Sequence, residues 1–232
     1  MCGRFALDSS PEKLKQTFDL KDASGFTASR YNIAPSQYIP VIVQENSFSV
    51  LRTMKWGLVP FWAKDPAIGN KLINARAETL AEKPSFRQAL TLRRCLIPAS
   101  GFFEWKSSGK QKTPLYIRLK NTPLFSMAGL WEEWKNPEGK TLITCTIITV
   151  PPNPFMEIIH NRMPAILLPS ATKQWLGDHQ PSELIDILKP CPKDWMQAEE
   201  VRLLINQTSN DSVDCIRPVQ MKKAEDQQLS LF

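Results

Sequence analysis

The 232 residues include only two histidines, His160 and His179, and five scattered cysteines with no Cys-x-x-Cys pair among them. The first scarcity removes the usual ligand patterns of a zinc site, and an odd, irregularly spaced cysteine set makes no disulfide framework. Neither a metal nor a cofactor is expected. No apolar run approaches the ~20 residues of a membrane span, and the first residues lack the apolar stretch of a secretory signal. The expectation is a cytoplasmic chain with no membrane association. Internal repeats, low-complexity tracts and long linkers are absent too, which points to one domain over residues 1–218 and a polar tail over 219–232.

The composition is 42% hydrophobic and 22% charged, enough for a sizeable core. A net charge of +6 and a pI near 9.1 favour acidic partners, nucleic acid foremost, although the basic residues are spread along the chain and form no block. "SSPEKLKQTFDL" reads as a helix capped by Ser9, with Pro11 in its first turn and Glu12 closing a capping box. "QYIPVIVQENSFSVLRTMKWG" reads as two strands joined at Glu45–Asn46–Ser47. A loop rich in Trp, Pro and Gly follows, then a helix at "SFRQALTLRR" and a strand at "RCLIPA". "PLYIRLK", "LFSMAGLWEEW" and "TLITCTIITV" read as strands, with Cys145 a buried residue of the last and "KNPEGK" a hairpin turn. A short helix "NPFMEIIH" ends at His160, and Ser170 and Ser182 open two further helices. Strands outnumber helices and mostly adjoin other strands. The fold class expected is α+β: a single domain with a curved, barrel-like, mainly antiparallel β core and peripheral helices.

Four pieces carry polar residues that a core pattern does not explain. "MCGRF" has a thiol at Cys2 and a guanidinium at Arg4. "LINARAET" alternates Asn74, Arg76 and Glu78 with small or apolar residues. "PASGFFEWK" sets Glu104 between two aromatics, and "IIHNRMPAILL" places His160 and Arg162 before an apolar strand. Singly, each has a structural explanation: an edge strand's outer face for Asn74 and Arg76, a solvent-facing position for Glu104, a helix end for His160. Together they supply a nucleophile, acid/base groups and anion binders, which is what a reactive site needs. The position of Cys2 adds a particular chemistry. If Met1 is removed, Cys2 carries an α-amine and a thiol on adjacent carbons, both partly reactive near neutral pH.

These pieces, with "RYNIAPSQ" at 30–37, "GFFEW" at 101–105 and "IHNRMPAIL" at 159–167, resemble the SRAP family, named for SOS-response-associated peptidases. The resemblance runs in order from Met1 to about residue 218. It implies a barrel-like domain with a basic groove that attaches itself to abasic sites in single-stranded DNA. The α-amine and thiol of Cys2 would close a thiazolidine ring on the abasic aldehyde. Glu104 would hold the amine and take its proton, His160 would act as general acid or base, and Asn74 would bind the opened sugar or its phosphate. Arg4, Arg76 and Arg162, with Thr149, would contact phosphates. Trp62, with Phe61 before it, would stack on flanking bases with Pro35 beside it; packing of Phe61 in the core is the alternative. The loop "AKDPAIGNK" departs from the family's pattern.

Three other readings compete. An N-terminal-nucleophile amidohydrolase shares only Met-Cys-Gly. A thiol peptidase would pair Cys2 with His160, and a plain DNA-binding module would make Cys2 incidental. The chain ends in "QLSLF", which resembles the pentapeptide that bacterial replication and repair proteins insert into the DNA sliding clamp, with Gln228, Leu229, Leu231 and Phe232 as the contacts. Nothing in the sequence demands more than a monomer.

Overall fold

The computed structural model describes residues 2–219. In chain order the elements are β1 (Phe5–Leu7), α1 (Pro11–Phe18), β2 (Arg30–Ile33), β3 (Tyr38–Glu45), β4 (Phe48–Trp56), β5 (Asn74–Arg76), α2 (Arg87–Leu92), β6 (Arg94–Ala99) and β7 (Gly101–Ser108). They continue with β8 (Gln111–Leu119), β9 (Phe125–Lys135), β10 (Thr141–Val150), α3 (Pro154–Glu157), β11 (Met163–Pro164), β12 (Ile166–Leu167), α4 (Pro169–Leu176), α5 (Pro181–Asp186) and β13 (Met196–Glu200).

Strands β10, β4, β3, β6 and β9 pair in that order, and β9 returns to β10, closing a barrel. All of these contacts are antiparallel except β10 with β4. A second, open antiparallel sheet runs β13–β8–β7–β1–β2. The expected single domain with a barrel-like core and few helices is therefore what forms. Long apolar strings such as "TLITCTIITV" suit strands covered on both faces. α2 and α4 pack on the outside of β6, and β1 of the second sheet packs against β6 as well.

Local chemistry explains most element ends. Asn46 and Ser47 both take positive φ (47° and 69°), so β3 and β4 turn through two residues as the sequence indicates. The first helix begins one residue later than expected: Ser10, not Ser9, accepts the Lys13 N–H, and Pro11 fills the first helical position. α5 is opened by Gln180 in a capping box with Glu183, not by Ser182, and α3 stops at Glu157, short of His160. β7 and β13 were not read as strands. β7 begins at Gly101, where an added Cβ would lie 2.4 Å from the Tyr116 ring; the missing side chain lets that ring lie across the strand.

β10 has one edge shared by two parallel partners. β4 pairs with it at Thr144 and Cys145, and β5 takes over at Ile147–Thr149. Residues 57–73 leave the sheet between them and return. The excursion is pinched at its base by Leu58 N–H to Leu72 O (3.2 Å) and Trp56 Nε1–H to Ile73 O (2.8 Å). Gly57 sits at φ +126°, and a Cβ there would be 2.7 Å from the Gly69 carbonyl oxygen. Beyond the pinch, Trp134 Nε1–H holds the Ala63 carbonyl (2.7 Å) and Asp65 caps a short 3₁₀ turn. Gly57→Ala combines a forbidden φ with a backbone collision and is expected to cost about 2–4 kcal/mol. The check is the thermal midpoint; an unchanged value would mean that the pinch is not required.

Candidate functional site

The N-terminal segment is laid down by a β ladder. Phe5 pairs with Phe102 and Ala6 with Gly101, and the Phe103 N–H donates to the Arg4 carbonyl (2.9 Å). Continued backwards, this antiparallel register brings Cys2 alongside Glu104 and Trp105. Alternation along β7 sends Phe103 into a small satellite cluster, while Phe102 and Cys2 belong to the main core. Glu104 projects to the Phe102 side.

Further bonds fix the segment. Ser100 Oγ accepts the Asp8 N–H (3.0 Å), and the Ser100 N–H donates to Ala6 O (2.9 Å). Phe5 packs edge-on against Trp56 with centroids 5.4 Å apart. Asn74 Nδ2 donates to the Cys2 carbonyl (3.1 Å), so β5 clasps the reactive residue by its backbone. Asn74 Oδ1 is buried with no hydrogen-bond partner among the described residues, an acceptor left open beside Cys2.

Glu104 is only 4% exposed, which excludes the solvent-facing alternative. Desolvation pushes its carboxyl up to about 7. Burial likewise raises the Cys2 thiol, and the neighbouring Glu104 carboxylate raises it further. His160 lies beyond the end of α3, with its ring half-buried, and burial lowers its pKa. Its Nδ1 faces both the Arg162 N–H (3.0 Å) and the Arg162 carbonyl oxygen (3.2 Å).

Arg162 and Thr149 form one unit at the C-terminal end of β10, where Thr149 faces Arg76 of β5 and Pro164 of β11. Arg162 Nη2 donates to the Thr149 carbonyl (2.6 Å) and hydroxyl (3.3 Å), and its outer edge pairs with Glu78. Thr149 is buried, and its hydroxyl also donates to Ala75 O. Arg76 is exposed. Arg4 is bonded within the chain as well. Its Nη1 donates to Asn32 Oδ1 (2.6 Å) and Ile205 O (2.7 Å), and its guanidinium lies 5.9 Å from the Trp105 ring centroid. It straps the N-terminal segment to residues far along the chain.

Trp62 and Phe61 are 47% and 51% exposed, so Phe61 does not pack in the core. Both line a cleft of about 540 Å³ whose other wall includes Pro84, Arg87, Gln88 and Thr91. The half-buried Pro35 lies in the turn before β3, and Ser36 ties that turn to the excursion through the Trp56 carbonyl (2.8 Å) and Asn70 Oδ1 (3.1 Å). Gln228, Leu229, Leu231 and Phe232 lie outside the described residues.

Two supporting residues were missed by the sequence reading. Asn32 is fully buried and donates to the carbonyls of Gln207 (2.9 Å) and Asn210 (2.6 Å). Asp211 accepts the N–H groups of Tyr31 and Asn32. The signal for Asn32 was an amide between Tyr31 and Ile33 in a strand; Asp211 offered none. No group of three or more His, Cys, Asp or Glu side chains among the described residues could hold a metal ion, and no described helix is long and apolar enough to cross a membrane.

Comparison with known proteins gives a consistent answer. The family model "SOS response associated peptidase (SRAP)" matches residues 1–208. The chain is 47% identical over 221 residues to the abasic site processing protein YoqW of Bacillus subtilis, covering 93% of this chain and 99% of that one. It is 28% identical to the abasic site processing protein HMCES of Xenopus tropicalis, covering 94% of this chain and 78% of that one. A crystal structure of a protein from Bacteroides thetaiotaomicron superimposes with a TM-score of 0.86 at 28% identity, covering 94% of this chain and all of that one.

The buried carboxyl generates a pH prediction. With its folded pKa raised from 4.5 to about 7, Glu104 binds more proton in the native than in the unfolded chain between those values. Wild-type stability relative to Glu104→Gln should therefore fall as pH rises through that window and level off above it. Denaturant titrations at pH 5 and pH 8 check this; equal pH dependence in both proteins would mean that Glu104 ionises normally.

Proposed function

The chain belongs to the SRAP family, and from that premise we propose that it processes abasic sites in DNA by attaching Cys2, freed of Met1, to the lesion in a single strand. Its relatives carry abasic site processing in their names. The observation that carries the finer reading is the ladder that holds Cys2 beside a carboxyl with a pKa near 7 and an amide with an open acceptor.

A ring-opened abasic site offers an aldehyde at C1′. The Cys2 α-amine adds to that carbon to give a carbinolamine. Loss of the hydroxyl as water, with a proton supplied to it, leaves an imine. The thiol sulfur then adds to the imine carbon while the nitrogen takes up a proton, closing a five-membered thiazolidine. The balance is one water released. Glu104, poised near neutrality, takes the proton from the ammonium and can return it to the leaving hydroxyl. Asn74 Oδ1, an open acceptor, takes a hydrogen bond from the amine, and a His160 ring N–H donates to the sugar oxygen. Closure within one residue has the advantage of effective molarities of ~10⁵–10⁸ M.

The raised thiol pKa disfavours the thiol-peptidase reading, which needs a thiolate stabilised by an imidazolium. It does not hinder addition to an imine, where Glu104 can take the thiol proton as the bond forms. Arg76 and Arg162 serve as the phosphate contacts. Trp62 and Phe61 stack on bases flanking the lesion, worth ~1–3 kcal/mol per base without sequence preference. Pro35, in the turn that Ser36 ties to Asn70 of the same excursion, adds an apolar contact to the strand.

Intact-mass spectrometry after mixing with abasic single-stranded DNA should show loss of Met1 and a stable adduct one water lighter than the sum of protein and DNA. Cys2→Ala should lose the adduct and keep binding to undamaged strands; Cys2→Ser should give at most an imine, with strand cleavage. A stable adduct from either variant would sink the proposal.

The terminal "QLSLF" is assigned to the bacterial sliding clamp: a glutamine for the rim and apolar side chains for a shallow pocket. Deleting Gln228–Phe232 should abolish clamp binding in a pull-down while leaving DNA attachment intact. Undiminished clamp capture would overturn the assignment.

A further inference from the structure

Arg162 has little freedom left. Its side chain is 12% exposed and Nε is buried without a hydrogen-bond partner among the described residues. The inner side of the guanidinium is anchored by the Thr149 carbonyl and hydroxyl. The one edge that faces outward is the Nη1/Nη2 pair, and both oxygens of Glu78 occupy it, with Nη2 to Oε2 at 2.9 Å. Glu78 is 45% exposed and sits on the three-residue turn Ala77–Thr79 that follows β5.

A guanidinium edge accepts one bidentate oxyanion at a time, and carboxylate and phosphate present the same pair of oxygens. Glu78 is not needed to orient Arg162, because Thr149 already does so from the inside. We propose that Glu78 is an internal stand-in for a DNA phosphate on Arg162, so that a strand docks by displacing the Glu78 carboxylate from the guanidinium. The inference rests on the reading that this site takes a DNA strand. Its consequence is a threshold: each docking event must break an ion pair before the phosphate contact forms. Strands that engage only through their backbone are held weakly, and the lesion adds the covalent step that undamaged DNA lacks.

The exchange has a salt signature. In the wild type, a phosphate gains Arg162 while Glu78 loses it, so little net counterion is released at this position. With Glu78 neutralised, the phosphate contact releases its counterion without that offset.

The test is equilibrium binding of a fluorescent single strand carrying a tetrahydrofuran abasic analogue, which has no aldehyde. Glu78→Gln is expected to bind about three- to tenfold more tightly near 0.1 M salt, the range open to a half-exposed bidentate pair. The slope of log affinity against log salt should steepen by roughly 0.7, one single-strand phosphate. In an Arg162→Ala background the same substitution should gain nothing. Thermal midpoints verify that each variant is folded. A Glu78→Gln protein that binds no more tightly than wild type, or whose gain survives loss of Arg162, overturns the exchange while leaving the functional reading standing. A wild-type chain that does not bind the strand at all overturns that reading, and the exchange with it.

Discussion

The antiparallel ladder between β1 and the start of β7 is the contact on which the chemistry depends. Backbone hydrogen bonds set its register, so Cys2 reaches Glu104 without using its own side chain for anchorage. Three further regions reinforce it: Ser100 from the strand junction, Asn74 from β5, and Asn32 with Ile205 through Arg4. A residue this near a chain end would otherwise sample many conformations, and each of these bonds removes some of that freedom.

β10 organises the other half of the site. Its edge passes from β4 to β5, which delivers Asn74 to Cys2 and aligns Arg76 with Thr149. Thr149 in turn fixes Arg162, whose backbone N–H and carbonyl both face His160 Nδ1. One strand thus connects Asn74, Arg162 and His160. Desolvation of Glu104 runs against stability, and the fold accepts that cost where an acid/base group near pH 7 is useful.

The parts of this arrangement that were legible in the sequence are local or compositional. The β3–β4 turn follows from Asn46–Ser47, and the burial of Cys145 from its apolar string. Glu104 between Phe103 and Trp105 stood out, but its burial depends on the N-terminal segment lying beside it, a pairing of residues about one hundred positions apart. β7 was missed as a strand for the same reason: its partners are β1 and β8, and only β8 is near in sequence. The bonds from Arg4 to Asn32 and Ile205 were not legible, because those partners are separated from it by 28 and 201 positions. Glu78 was visible within "LINARAET" and had no role until Arg162, 84 positions away, was found on it.

The pinch at Gly57 and Gly69 has a consequence for substitution. It closes residues 57–73 into a cassette whose two ends are bonded to each other and to the barrel, with a further tie from Trp134 to Ala63 beyond the neck. Asn74 is held from outside the cassette, by its bond to the Cys2 carbonyl and by the pairing of β5 with β10. The exposed aromatics Phe61 and Trp62 and the clasp on Cys2 are therefore fastened by separate sets of bonds within one small domain.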